Sequence, residues 1–257
     1  MEDKTQLGKV ELTVEKGVAK ISFYHPAHNS LPGKLLAKLA NTITEVSAME
    51  AVKLIVLQSE GNRTFCAGAS FDELISIKDL ETGKAFFMGF ANVINACRKS
   101  SKLIIGRVQG KAVGGGVGLA SACDYCFATK YASVKLSELA IGIGPFVVGP
   151  AVERKVGLSA FSQMAINATQ WYSAEWAREK GLFTEVFESA ELMDEAILKL
   201  SFNLSNSSPE AMQELKGICW KGTENWDELL AERAAISGRL VLSDFTVNAI
   251  NDFKAKA

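Results

Sequence analysis

The sequence predicts a layered α/β fold. Three observations carry that expectation: short apolar runs alternate with amphipathic stretches, strand–strand–helix units recur, and the chain turns mostly helical beyond about residue 157. At 257 residues the chain is long enough to bury a substantial core.

The elements follow in order. Val10–Val14 and Val18–Phe23 alternate in polarity across the turn Glu15-Lys16-Gly17, which predicts a pair of strands. His25–Asn29 breaks the pattern. A helix from about Pro32 to Met49 follows, with Leu35, Leu36, Leu39, Ile43 and Val46 on one face. Lys53–Leu57 is an apolar strand. An amphipathic stretch over Gly83–Arg98 then leads to a strand at Lys102–Val108. A small-residue helix over Gly116–Ala122 precedes strands at Tyr125–Ala128 and Ser133–Leu136. Near Phe183–Phe187 one more strand interrupts the helical remainder. Ser207-Ser208-Pro209 has the pattern of a helix start. It divides a core over 1–206 from a helical region over 207–257, with helices near Pro209–Trp220, Trp226–Leu242 and Asp244–Lys254.

Composition excludes several classes. With 28 basic against 29 acidic residues the chain lacks the cationic excess that nucleic acid or an anionic membrane surface demands. No apolar run is long enough to span a bilayer, and Met1-Glu2-Asp3-Lys4 lacks the basic-then-apolar order of a signal peptide. A cytoplasmic protein is expected. Five irregularly spaced cysteines fit a reducing compartment. Cys123-Asp-Tyr-Cys126 has neither a second CxxC nor nearby histidines, so it reads as two small buried hydrophobes, and no metal is expected. The two histidines, His25 and His28, share one turn, which argues against histidine-based nucleophilic catalysis.

Three segments carry candidate chemistry. In Thr64–Leu74, the small residues Ala67, Gly68 and Ala69 let backbone approach a ligand, although a plain turn has the same composition. In Val108–Ala120, Gly114-Gly115-Gly116 enters a helix, which would aim free N–H groups at an anion. Close helix–strand packing explains the same glycines, and the GxGxxG and Gly-Lys-Ser/Thr spacings are absent. In Val134–Pro145, Glu138 stands in an apolar run. Burial there would raise its pKa towards neutrality and suit it to acid/base work, with a helix-start role as the alternative.

Taken in order, these segments resemble the crotonase (enoyl-CoA hydratase/isomerase) superfamily over nearly the whole chain. The resemblance rests on Pro26…Asn29-Ser30-Leu31, Phe65-Cys66-Ala67-Gly68-Ala69, Gly110…Gly114-Gly115-Gly116, Cys123-Asp124, Leu136-Ser137-Glu138…Gly142 and Trp176–Val186. It implies a spiral of ββα turns with a C-terminal helical trimerisation region, assembled as a homotrimer or hexamer. It also implies an acyl-CoA thioester substrate, with coenzyme A arriving as part of that substrate and no separate cofactor. The thioester oxygen would be held by the N–H groups of Ala69 and Gly115, with Glu138 as acid/base. Asn29, Leu31, Ala67, Gly68, Ser70 and Gly114 would line the substrate site, and Phe146 would wall an apolar acyl pocket.

One departure stands out. Hydratases of this superfamily present two glutamates, and the position of the first is Gly118 here. The resemblance therefore leaves three readings: a hydratase of the 3-methylglutaconyl-CoA type, a Δ3-Δ2-enoyl-CoA isomerase using Glu138 alone, or a non-catalytic acyl-CoA-binding subunit. If lost hydration is the reason for that glycine, restoring a carboxylate at position 118 is expected to raise water addition.

Overall fold

A computed structural model describes residues 8–256, so Met1–Lys4 lies outside the described residues. Strands β1 (Lys9–Glu15) and β2 (Val18–Tyr24) form an antiparallel hairpin. Lys16 and Gly17 join them with φ of 50° and 81°, the two left-handed residues that a tight hairpin turn requires. Helix α1 (Gly33–Ala48) buries the predicted face, Leu35, Leu36, Leu39, Ile43 and Val46.

From β3 onward the chain winds in repeated turns. The first is β3 (Leu54–Ser59), β4 (Thr64–Cys66), the short α2 (Phe71–Leu74) and α3 (Leu80–Lys99). The second is β5 (Leu103–Val108), β6 (Lys111–Val113) and α4 (Gly115–Ala122). The third is β7 (Tyr125–Thr129), β8 (Ser133–Lys135), a 3-10 turn at Glu138–Ile141 and α5 (Gly149–Ile166). Then come β9 (Tyr172–Ser173), α6 (Ala174–Glu179), β10 (Glu185–Phe187), α7 (Ala190–Ser205), α8 (Pro209–Cys219), α9 (Trp226–Leu240) and α10 (Asp244–Lys256). The first strand of each turn joins a six-stranded sheet, β1-β2-β3-β5-β7-β10, parallel beyond the hairpin. The second joins a four-stranded sheet, β4-β6-β8-β9. This is the spiral of strand–strand–helix turns that the resemblance implies.

The helical region begins earlier than its composition indicates. Helix α5 starts at Gly149 with Pro150 in its first turn, where a missing N–H is no loss, and it is interrupted at Gly157 (φ 75°).

The C-terminal helices share the spiral's core. Trp220, Trp226, Leu230 and Ala234 are buried in the same apolar cluster as Phe23, Phe65 and Leu119. Helices α9 and α3 cross with their backbones in contact: a β-carbon on Gly83 would stand 2.7 Å from the Gly238 carbonyl oxygen. Asp124 anchors this region. Its carboxylate accepts hydrogen bonds from Lys216 Nζ (2.8 Å), Trp220 Nε1 (2.7 Å) and the Ile104 N–H (2.7 Å). The Lys216 side chain is only 3% exposed, so truncating it strands a buried carboxylate. Lys216→Ala is expected to cost about 3 kcal/mol in urea denaturation, with catalytic constants unchanged; a loss below about 1 kcal/mol, the surface-pair range, would count against this anchor.

Candidate active site

Strands β4, β6 and β8 are parallel neighbours, so the segments that follow them emerge side by side. Ala67–Ala69 follows β4, Gly114-Gly115 follows β6, and Leu136–Glu138 follows β8. The second and third are tied directly, the Gly114 N–H donating to the Lys135 carbonyl at 2.9 Å. Three motifs far apart in sequence thereby border one cavity of about 170 Å³.

The two proposed donors differ in origin. Leu31 pairs across the extended segment at Ala69, donating its N–H to the Gly68 carbonyl (2.8 Å) and accepting from the Ser70 N–H (3.1 Å). Parallel pairing of that kind turns the Ala69 N–H away from Leu31, and that N–H donates to nothing among the described residues. Gly115 is the first residue of α4, so its N–H has no acceptor within the helix and lies at the positive end of the helix dipole. The two segments touch: a β-carbon on Gly68 would lie 3.7 Å from Gly115 N.

Glu138 opens the 3-10 turn. The residue as a whole is only partly buried, but its Oε2 is cut off from solvent and has no hydrogen-bond partner among the described residues. The carboxyl therefore governs the electrostatics: burial pushes its pKa up to about 7, and nearby backbone amides of Glu138 and Ser137 offset only part of that. It does not cap a helix end. Gly114 explains how the carboxylate reaches the glycine run. Its φ is 52°, and a β-carbon there would stand 2.7 Å from Glu138 Oε1.

Seven predicted site residues, Ala67, Gly68, Ala69, Gly114, Gly115, Glu138 and Phe146, line the cavity. Asn29, Leu31 and Ser70 do not; they are buried behind it. The Asn29 side chain donates to the Glu60 and Thr64 carbonyls (2.9 Å each) and accepts from the His25 N–H (2.8 Å). The Ser70 hydroxyl caps α2. These residues position the β4 loop rather than face the cavity.

Further wall residues are Phe86, Phe87 and Phe90 from α3, and Ser237 from α9. Phe90 packs its ring directly over Gly115, where any β-carbon would collide with it. Gly118 is packed as tightly. A β-carbon there would be 2.6 Å from Val148 Cγ1, 2.9 Å from Val148 Cβ and 3.6 Å from Ile94 Cδ1. The space for a carboxylate at 118 is filled, so a glutamate there requires Val148 to give way. Cys123 and Cys126 are buried, burial pushing the Cys126 thiol up to about 12 and Cys123 upward as well, so neither is a nucleophile. Among the described residues no acidic, histidine or cysteine cluster is arranged to hold a metal ion, and no helix is long and apolar enough to cross a membrane.

Comparisons with known proteins supply the family. The family described as enoyl-CoA hydratase/isomerase matches residues 13–243. A short-chain-enoyl-CoA hydratase of Clostridium acetobutylicum is 28% identical, covering 98% of this chain and 96% of that protein. A 2,3-dehydroadipyl-CoA hydratase of Escherichia coli is 31% identical, covering 74% of this chain and 72% of the other. A solved enoyl-CoA hydratase structure from Bacillus halodurans superimposes with a TM-score of 0.87 at 19% identity, over 95% of this chain and 99% of that one, which speaks for the fold. With the family matched across nearly the whole spiral, the chain belongs to the enoyl-CoA hydratase/isomerase family, within the crotonase superfamily.

Proposed function

We propose that the chain hydrates a trans-2-enoyl-CoA, with Ala69 and Gly115 N–H groups holding the thioester oxygen and Glu138 moving the proton. The observation that supports this most is the convergence of two unengaged backbone donors and one neutral-range carboxyl on a single cavity. As water adds to C3, negative charge collects on the thioester oxygen. Two fixed donors favour that enolate over the ground state, each accounting for roughly a hundredfold or more in rate. Glu138 accepts a proton from the adding water and returns one to C2, so one water is consumed and the carboxylate is restored. A pKa near 7 keeps both protonation states within reach at neutral pH.

A second reading is double-bond isomerisation between 3-enoyl and 2-enoyl thioesters. Glu138 would take a proton from C2 and deliver it to C4, with no water needed. The filled space at Gly118 favours it, because a one-carboxyl site suits a one-proton shuttle. Assays on trans-2-enoyl- and 3-enoyl-CoA substrates separate the readings. Loss of enoyl absorbance from the 2-enoyl substrate is the expected result. Conversion of 3-enoyl to 2-enoyl thioester without hydration would establish the isomerase instead. Binding of acyl-CoA with no turnover of either substrate would leave the non-catalytic subunit.

A further inference from the structure

We propose that the acyl end of this cavity accepts an apolar acyl chain and rejects one ending in a carboxylate, an inference that rests on the acyl-CoA reading of the site. Helix α3 lays Phe86, Phe87 and Phe90 along one wall, spaced so that successive turns face the same way. Phe146 and Val147 stand among the residues after Glu138, and Leu74 closes from α2. Among the described residues no lysine, arginine or histidine lines the cavity. The one ionisable group among those lining residues is Glu138, itself an acid, and their other side-chain polar groups are the neutral hydroxyls of Ser137 and Ser237. Where α3 crosses α9, the adjoining cations Lys84 and Arg239 are exposed to solvent rather than turned into the cavity.

A carboxylate entering such a space would lose its hydration, find no cation, and face a second acid. A methyl terminus would meet only aromatic and aliphatic surface. The 3-methylglutaconyl group ends in a carboxylate, so this inference places it among the rejected substrates even if the enzyme is a hydratase.

The test uses a matched pair, trans-2-hexenoyl-CoA and its terminally carboxylated counterpart trans-2-hexenedioyl-CoA, together with the saturated hexanoyl- and adipoyl-CoA as ligands. Wild-type kcat/KM is expected to fall at least about a hundredfold from the methyl-ended to the carboxylated substrate. Calorimetric affinity for the saturated pair should fall in the same direction. Equal values within about threefold would overturn the proposal. If hexanoyl-CoA binds far better than adipoyl-CoA but trans-2-hexenoyl-CoA is not hydrated, this inference stands and the hydratase reading falls. If neither ligand binds, both this inference and the acyl-CoA reading fail. Phe86→Arg supplies an independent arm: it should raise affinity for adipoyl-CoA about tenfold or more while lowering that for hexanoyl-CoA. Loss of both affinities in a variant that remains folded would count against Phe86 facing the acyl chain.

Discussion

Glu138→Gln should lower turnover about a thousandfold and, above neutral pH, make the protein more stable. Both effects come from the same burial. The carboxyl is the one titratable group among the described residues that line the cavity, and Gln can neither take nor return a proton. The stability effect follows from the raised pKa. In the unfolded chain the group ionises near its model value of 4.5; in the folded protein it does so at about 7. Below pH 4.5 both states hold the proton and the shift has no consequence. Between 4.5 and 7 the folded state holds a proton that the unfolded state has released, so stability falls as pH rises. Above 7 the whole penalty applies, at most about 3 kcal/mol. Glutamine carries no charge and escapes it. Urea denaturation should therefore show little difference between the proteins at pH 4.5 and a growing advantage for the variant towards pH 8. In the wild type, kcat/KM for the base-requiring step should rise through pH 7, a step missing from the variant's residual rate. A variant retaining more than a tenth of the activity would remove Glu138 from the mechanism. A stability difference independent of pH would mean that the carboxyl is not buried in solution.

Much of the large sheet was legible because β1, β2, β3 and β5 are runs of six or seven residues and helices α1 and α3 show a full amphipathic period. Of the small sheet only β8, expected at Ser133–Leu136, was. Strands β4 and β6 are three residues each, too short for alternation to register, and they sit inside Gly/Ala-rich segments that read as loops. Yet these strands explain why the motifs meet: β4, β6 and β8 run parallel as neighbours, so each motif leaves the sheet at the same edge. The carboxylate and the glycine run were visible as residue types, while Phe90 over Gly115 and Asn29 beneath the β4 loop were not. Asn29 looked like a ligand contact because it stood in a family-like turn. Its left-handed backbone (φ 55°) and its three internal hydrogen bonds make it a support for that turn.

The contact between Gly118 and Val148 is the clearest thing that no local pattern could reveal, and it sets up the second large effect. In an open helix, Gly118→Ala would stabilise by about 1 kcal/mol through lower backbone entropy. Here it should destabilise by about 2 kcal/mol, because the new β-carbon would lie 2.6 Å from Val148 Cγ1. Gly118→Glu adds a carboxylate at a buried position, and its total cost should reach about 4 kcal/mol or more. That is a large share of the stability of an ordinary domain, so melting should fall by roughly 10 °C or the protein should fail to accumulate. Val148→Ala cannot rescue it fully, since Val148 Cβ itself would stand 2.9 Å from the new β-carbon. Val148→Gly removes both atoms and should restore most of the stability in the double variant, with a coupling of about 2 kcal/mol in a double-mutant cycle. The double variant also separates the two chemical readings. If hydration is limited by the missing carboxylate, Gly118→Glu with Val148→Gly should hydrate trans-2-enoyl-CoA faster than Val148→Gly alone. If the double variant folds and isomerises 3-enoyl-CoA without any gain in hydration, Gly118 and Val148 belong to a site built for a single proton carrier.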